Sequence, residues 1–174
     1  MFDTVIAPLD GTPHAEVALP YAIDEARRHG AAMVLMHVVP RPEPCTSPAR
    51  RSGPLSWQGE WPFGDIEEDK RKADAYLRGV VTRYALDPGT PLCVAVGDPG
   101  VRVAAEAALR PNPLVVMLTG DRTRRARPPL SLVTSYLLRA GAAPVLGIRQ
   151  PAPSEADAAP LGPPRRRHAS AAHD

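Results

Sequence analysis

Apolar residues along the chain follow two rhythms. Short continuous runs suit strands buried on both faces of a parallel sheet: Val5 to Leu9, Met33 to Val39, Leu92 to Val96, Leu114 to Leu118, and Pro144 to Arg149 around Val145-Leu146-Gly147-Ile148. Between them apolar positions recur at helical spacing. Pro13–His29 carries Ala15, Ala18, Leu19, Ala22, Ile23 and Ala26 on one face, with Pro20 inside it expected to bend the helix or loosen a turn and Gly30 placed to cap its end. Ile66–Ala85 carries Ala73, Leu77, Val80, Val81 and Tyr84, opens on Glu67-Glu68-Asp69 and closes on the turn Asp87-Pro88-Gly89. Gly100–Leu109 presents Val103, Ala104, Ala107 and Ala108, and Ser131–Ala140 buries Leu130, Val133, Leu137 and Leu138. Strands alternating with amphipathic helices predict an α/β fold, a three-layer α/β/α sandwich on a five-stranded parallel sheet with right-handed crossovers.

The rhythm fails in three places. Residues 40–65 hold Pro40, Pro42, Pro44, Pro48, Pro54 and Pro62 with Gly53, Gly59 and Gly64, so a long loop is expected there. Trp57, Trp61 and Phe63 within it either anchor the loop to the body or fold as a lid onto the strand ends. Residues 119–129 form a polar, basic loop with Arg122, Arg124, Arg125 and Arg127, either a solvated surface or a source of charge-assisted contacts to an anion. From Gln150 onward Pro, Ala, Ser and Arg dominate, which predicts one α/β domain over 1–149, with the insertion 40–65, and a disordered tail over 150–174.

Composition narrows the class without naming a chemistry. The chain of 174 residues is long enough for a single core, and its net charge of +2 gives no reason to expect nucleic acid or a membrane surface as partner. Two cysteines, Cys45 and Cys93, are too few for a secreted disulfide framework, and no apolar run is long enough to span a membrane. With Met1-Phe2-Asp3 leading straight into the first strand, a cytoplasmic protein with free thiols is expected.

The first strand ends at Asp10-Gly11-Thr12-Pro13, an acid at the carboxyl end of a strand, where open α/β sheets bind ligands. Asp10 is either a turn residue or a ligand-facing carboxylate, and Thr12 and Pro13 suit an N-cap and a first helical residue. Elsewhere catalytic signals are absent. His14, His29 and His37 stand at no metal spacing, His37 reads as a hydrogen-bonded core histidine, and Ser131, Ser135 and Cys93 have no base that sequence can place beside them. No metal site and no enzyme activity are expected, although a weak ATPase is left open.

Five segments in order, Val5-Ile6-Ala7-Pro8-Leu9-Asp10-Gly11-Thr12, Glu16 to Ala22, Leu35-Met36-His37-Val38-Val39, Gly97-Asp98-Pro99 and Ala143-Pro144-Val145-Leu146, resemble the universal stress protein family over residues 3–149, apart from the loop after strand two. The resemblance implies a Rossmann-like sheet of order 3-2-1-4-5, a homodimer through the last strand, Val145–Ile148, an unidentified protein partner and a role in stress response. It also implies an adenine-nucleotide pocket for ATP or AMP, with no metal beyond Mg carried by the nucleotide. Pro8, Asp10, Val38, Met117 and Val133 match positions lining the base and ribose, and Gly120 and Ser131 remain on the phosphate side. That side is eroded. The family's G-x2-G-x9-G-[ST] run falls here on Leu118, Asp121 and Ser131-Leu132, so the glycine backbone that approaches phosphates is lost and Asp121 adds a like charge. The alternative is a module that binds no nucleotide and acts through its dimer surface and the 40–65 loop.

Overall fold

The computed structural model describes residues 1–41, 65–119 and 130–149, with the side chains of residues 130–132 excepted. The elements in order are β1 (Thr4–Leu9), a 3-10 turn (Ala15–Ala18), α1 (Leu19–His29), β2 (Ala32–Pro40), α2 (Ile66–Arg83), β3 (Leu92–Gly97), α3 (Pro99–Ala108), β4 (Pro113–Leu118), α4 (Leu130–Ala140) and β5 (Val145–Ile148). All strand pairs are parallel and the sheet order is β3-β2-β1-β4-β5. This is the Rossmann-like arrangement expected of the sequence.

Alternation of side chains along each strand divides the core in two. Val5, Ala7 and Leu9 of β1 and Leu35 of β2 pack with Ala22 and Ala26 of α1 and Leu77 and Val80 of α2. Ile6 of β1, Val34, Met36 and Val38 of β2 and Val115 and Met117 of β4 pack with Val103 and Ala107 of α3 and Val133 and Leu137 of α4. All of β1 is buried because both faces and both edges are covered, whereas β3 and β5 each have one open edge and stay half-buried along most of their length.

The element boundaries depart from expectation where local bonding outweighs periodicity. No α-helix starts at Pro13: the amides of Ala15 and Val17 donate three residues back, to Thr12 and His14, in a 3-10 turn, and the α-helix begins at Leu19. Pro20 thus stands in the first turn of α1, where a missing amide proton leaves nothing unpaired, and it introduces no bend in the helix interior. Gly30 closes α1 in the left-handed conformation as expected (φ 61°). α2 ends at Arg83, and Ala85 has φ 49°. α3 runs Pro99–Ala108 because the Asp98 carboxylate accepts from the amide of Val101 and caps it. β2 extends to Pro40, opposite Gly97, and Asp65 caps α2, which narrows the interval expected as loop. Ala108 is exposed and Leu138 is 64% exposed, so neither belongs to its helix's buried stripe. Trp57, Trp61, Phe63, the arginines of 122–127 and the tail lie outside the described residues.

Candidate functional site

β1 is the hinge of the topology. From it β2 and β3 are laid down to one side and β4 and β5 to the other, so the strand order reverses between β1 and β4. The β1–β4 ladder runs Thr4↔Pro113, Val5↔Leu114 and Ile6↔Val115 and goes no further, although β1 continues to pair with β2 as far as Leu9↔His37 and β4 with β5 as far as Leu118↔Ile148. The carboxyl end of the sheet therefore divides between these two strands. Pro8, which has no amide proton to donate, sits beyond the last pair.

On the α3/α4 side of this division the walls are apolar. Pro8 and Met117 each stand two residues beyond the Ile6↔Val115 pair and point to the same face as those residues. Val38 of β2 and Val133 of α4 complete the set; each is 9% exposed, Pro8 is buried and Met117 is 0% exposed. The Thr134 hydroxyl lies 3.6 Å from the Met117 sulfur. Four of the seven candidate residues, from four separate elements, are thus brought to one face. They are held there as core, so whatever enters must meet them at the rim or displace packing.

Asp10 stands half-buried just past β1. Its Oδ1 accepts from the Thr12 amide at 2.9 Å and the Thr12 hydroxyl at 2.5 Å, and the Thr12 hydroxyl in turn accepts from the Ala15 amide at 3.3 Å. Asp10 thus organises the turn through Oδ1, and Thr12 bonds the first amide of the 3-10 turn, not one of α1. Both bonds use Oδ1; Oδ2 takes part in neither. Gly11 adopts φ 81°, a conformation that favours glycine. Gly120 lies outside the described residues, and Ser131 is placed only as a position in the first turn of α4. Leu118, where the phosphate run would have its first glycine, is 3% exposed in β4, so a packed side chain fills that position.

Behind the Asp10 turn, on the α1/α2 side, stands a polar group that spacing did not single out. Glu16, 8% exposed, accepts from Tyr76 Oη at 3.1 Å and from Arg83 Nη2 at 3.0 Å, both on α2. The Tyr76 ring meets the imidazole of His37 edge-on, with centroids 5.9 Å apart. Burial above all, and then the Glu16 carboxylate, raise the Tyr76 hydroxyl well above the usual phenol range, so it stays a donor. One signal was present: an acid three residues before Leu19, on the helical repeat that leads into the buried stripe. Among the described residues no group of three or more His, Cys, Asp or Glu is arranged to hold a metal ion, and no helix is long and apolar enough to cross a membrane.

The sheet order and the division beside β1 define a Rossmann-like α/β module with its crevice at the reversal of strand order. The universal stress protein family model matches residues 1–149, and the chain belongs to that family. Among solved structures, it is similar to the universal stress protein UspA from Lactobacillus plantarum, with 20% identity and a TM-score of 0.61 over 85% of this chain and 98% of that one. It is similar also to a universal stress protein family member from Burkholderia pseudomallei (22% identity, TM-score 0.51, 84% and 96% covered) and to the universal stress protein from Archaeoglobus fulgidus (17% identity, TM-score 0.51, 85% and 98% covered). At these identities the likeness is one of fold. No curated protein matches the chain.

Proposed function

We propose that this chain is a cytoplasmic, stress-responsive regulatory protein that turns over no substrate of its own. In this reading it senses an adenine nucleotide, ATP or AMP, at the crevice between β1 and β4. The observation that carries the reading is the convergence of Pro8, Val38, Met117 and Val133 on one face at the carboxyl end of the sheet, beside Asp10 and where the β1–β4 ladder stops. An apolar slot with one carboxylate at its rim suits a base and a ribose hydroxyl. It offers little to phosphates, since Leu118 occupies the place of a glycine and the run that follows keeps only Gly120. Recognition then rests on the adenosine end, and ATP and AMP should bind with similar strength.

The working unit in this proposal is a homodimer through β5. Val145, Leu146 and Ile148 are half-buried on an open edge, and such an edge is a template for pairing with its twin. A monodisperse monomer at high concentration in light scattering would remove the dimer from the proposal.

The test of nucleotide sensing is direct. Supernatant from heat-denatured purified protein is read for adenine absorbance, and the protein is titrated with ATP and AMP in a thermal-shift assay. At ten times Kd the ligand adds ~1.4 kcal/mol, roughly 3–6 °C in Tm for a chain of this size. Similar shifts with both nucleotides, lost in Asp10→Ala, support the reading; no shift at millimolar nucleotide ends it. The burial of Met117 favours a second reading, in which the slot is filled by its own side chains and the protein is an interaction module acting through its dimer surface and residues 40–65. Absence of both copurified nucleotide and a thermal shift would select it.

A further inference from the structure

Tyr76 stands near both ends of the connection that carries Asp10, beside His37 at one and bonded to Glu16 at the other. At one end, a Cβ added to Gly11 would make ordinary van der Waals contact with Cε1 of His37, at 3.4 Å, so the imidazole lies about a methyl's width from the turn, and the ring of Tyr76 is set edge-on to that imidazole. At the other end, the Tyr76 hydroxyl donates to Glu16, which lies four residues beyond Thr12 in the 3-10 turn. The segment between is short and internally bonded, Asp10 to Thr12 and Thr12 to Ala15.

We infer that Tyr76 is a positioning residue for the Asp10–Thr12 turn: its ring, through His37, and its hydroxyl, through Glu16, tie that turn to helix α2. Arg83 shares the same Glu16 oxygen, at 3.0 Å, and the hydroxyl of Tyr84, the residue just past α2, reaches the Glu16 carbonyl oxygen at 3.5 Å, so two side chains of α2 and one at its end fasten Glu16. Of the three, only Tyr76 also reaches the His37 end. A shift of α2 then moves the turn, and occupation of the crevice at Asp10 pulls on α2. The second half of this statement rests on the proposed nucleotide site; the mechanical tie between α2 and the turn does not.

Tyr76→Phe keeps the ring on His37 and removes only the bond to Glu16, and Arg83→Met removes the other strong bond to Glu16 while leaving the His37 end intact. Backbone amide NMR spectra of the full chain, recorded without ligand, read the tie itself. In Tyr76→Phe the amides of Gly11 and Thr12 should move together with that of Glu16; in Arg83→Met, which loses a more exposed partner of the same oxygen, they should move less. Titration with AMP then reads the consequence: affinity falls roughly 2- to 10-fold in Tyr76→Phe, the scale of one net hydrogen bond. Unmoved Gly11 and Thr12 amides in a folded Tyr76→Phe protein overturn the inference whatever the ligand does. Moved amides in a protein that binds no AMP leave the tie standing and overturn the nucleotide reading alone. Should Tyr76→Phe not fold, Glu16→Ala, which removes the acceptor for the Tyr76 hydroxyl, is read for the same amides; unmoved Gly11 and Thr12 amides overturn the inference.

Discussion

The two faces of the sheet at its carboxyl end are built from different physics. On the α3/α4 side Pro8, Val38, Met117 and Val133 are apolar, and the same burial that would suit a nucleotide base suits an ordinary core. On the α1/α2 side Asp10, Thr12, Glu16, Tyr76 and Arg83 make directional bonds, each with a distance and a partner. Apolar packing tolerates exchange of one hydrocarbon for another of like volume, so the presence of valine or methionine says little about ligands. A buried carboxylate needs its named donors, so the polar face is the more specific record of what this fold must hold in place.

Substitutions on the two faces should separate these roles. The largest effect is expected at Met117→Ala, which opens a cavity beneath the crevice and should lower stability by about 2–5 kcal/mol in chemical denaturation. Met117→Leu should cost less than about 1.5 kcal/mol. If Met117→Ala instead gains nucleotide affinity with little loss of stability, the apolar face is a pocket more than a core.

Next comes Glu16→Ala, which leaves the hydroxyl of Tyr76 without its carboxylate acceptor and should cost about 1–3 kcal/mol. Glu16→Gln should recover most of that loss, since its amide oxygen still accepts. Asp10→Ala removes the acceptor that organises Thr12 and should cost about 1 kcal/mol, the scale of a lost helix cap, while abolishing any nucleotide-dependent rise in Tm. Asp10→Asn, which retains an oxygen for Thr12, should restore stability, and comparing the two variants separates the cap from ligand recognition.

The smallest effect on stability belongs to a probe of how dry the apolar face is. Burial first, and then the Glu106 carboxylate 3.6 Å from Sγ, push the Cys93 thiol up to about 11. The thiolate is therefore scarce at pH 8 and becomes abundant only as the pH approaches that value. Alkylation of Cys93, followed on its own peptide by mass spectrometry, should be slower than that of an ordinary exposed thiol at pH 8 by on the order of a hundredfold. Glu106→Gln should quicken it. A fast wild-type reaction at pH 8 would mean that water reaches this face freely.

Much of the molecule could be read from residue pattern. The continuous run Val5 to Leu9 marked the central strand because a strand covered on both sides has no polar positions, and β1 is buried along its length. Gly30 and the Asp87-Pro88-Gly89 turn were legible because their chemistry is local: Gly30 is left-handed, and Asp87 accepts from the amide of Gly89 at 2.6 Å. Pro20 was misread because periodicity cannot tell an α turn from the 3-10 turn that precedes it, and only the observed bonding puts the proline in the first turn of α1. Leu138 was misread because α4 is apolar beyond its buried stripe.

The candidate site residues were picked out by the resemblance to the family, and their places on strands, in a turn and on a helix by the pattern of residues, because strand period and turn chemistry act over a few positions. Which face Met117 shares with Val38, where the β1–β4 ladder ends, and the tie from Tyr76 to Glu16 did not. The last joins residues 60 apart, and the bond from Arg83 spans 67. Contacts at that separation arise when helices dock on a sheet whose strand order is already set, and no local rule along the chain encodes which side chains then meet.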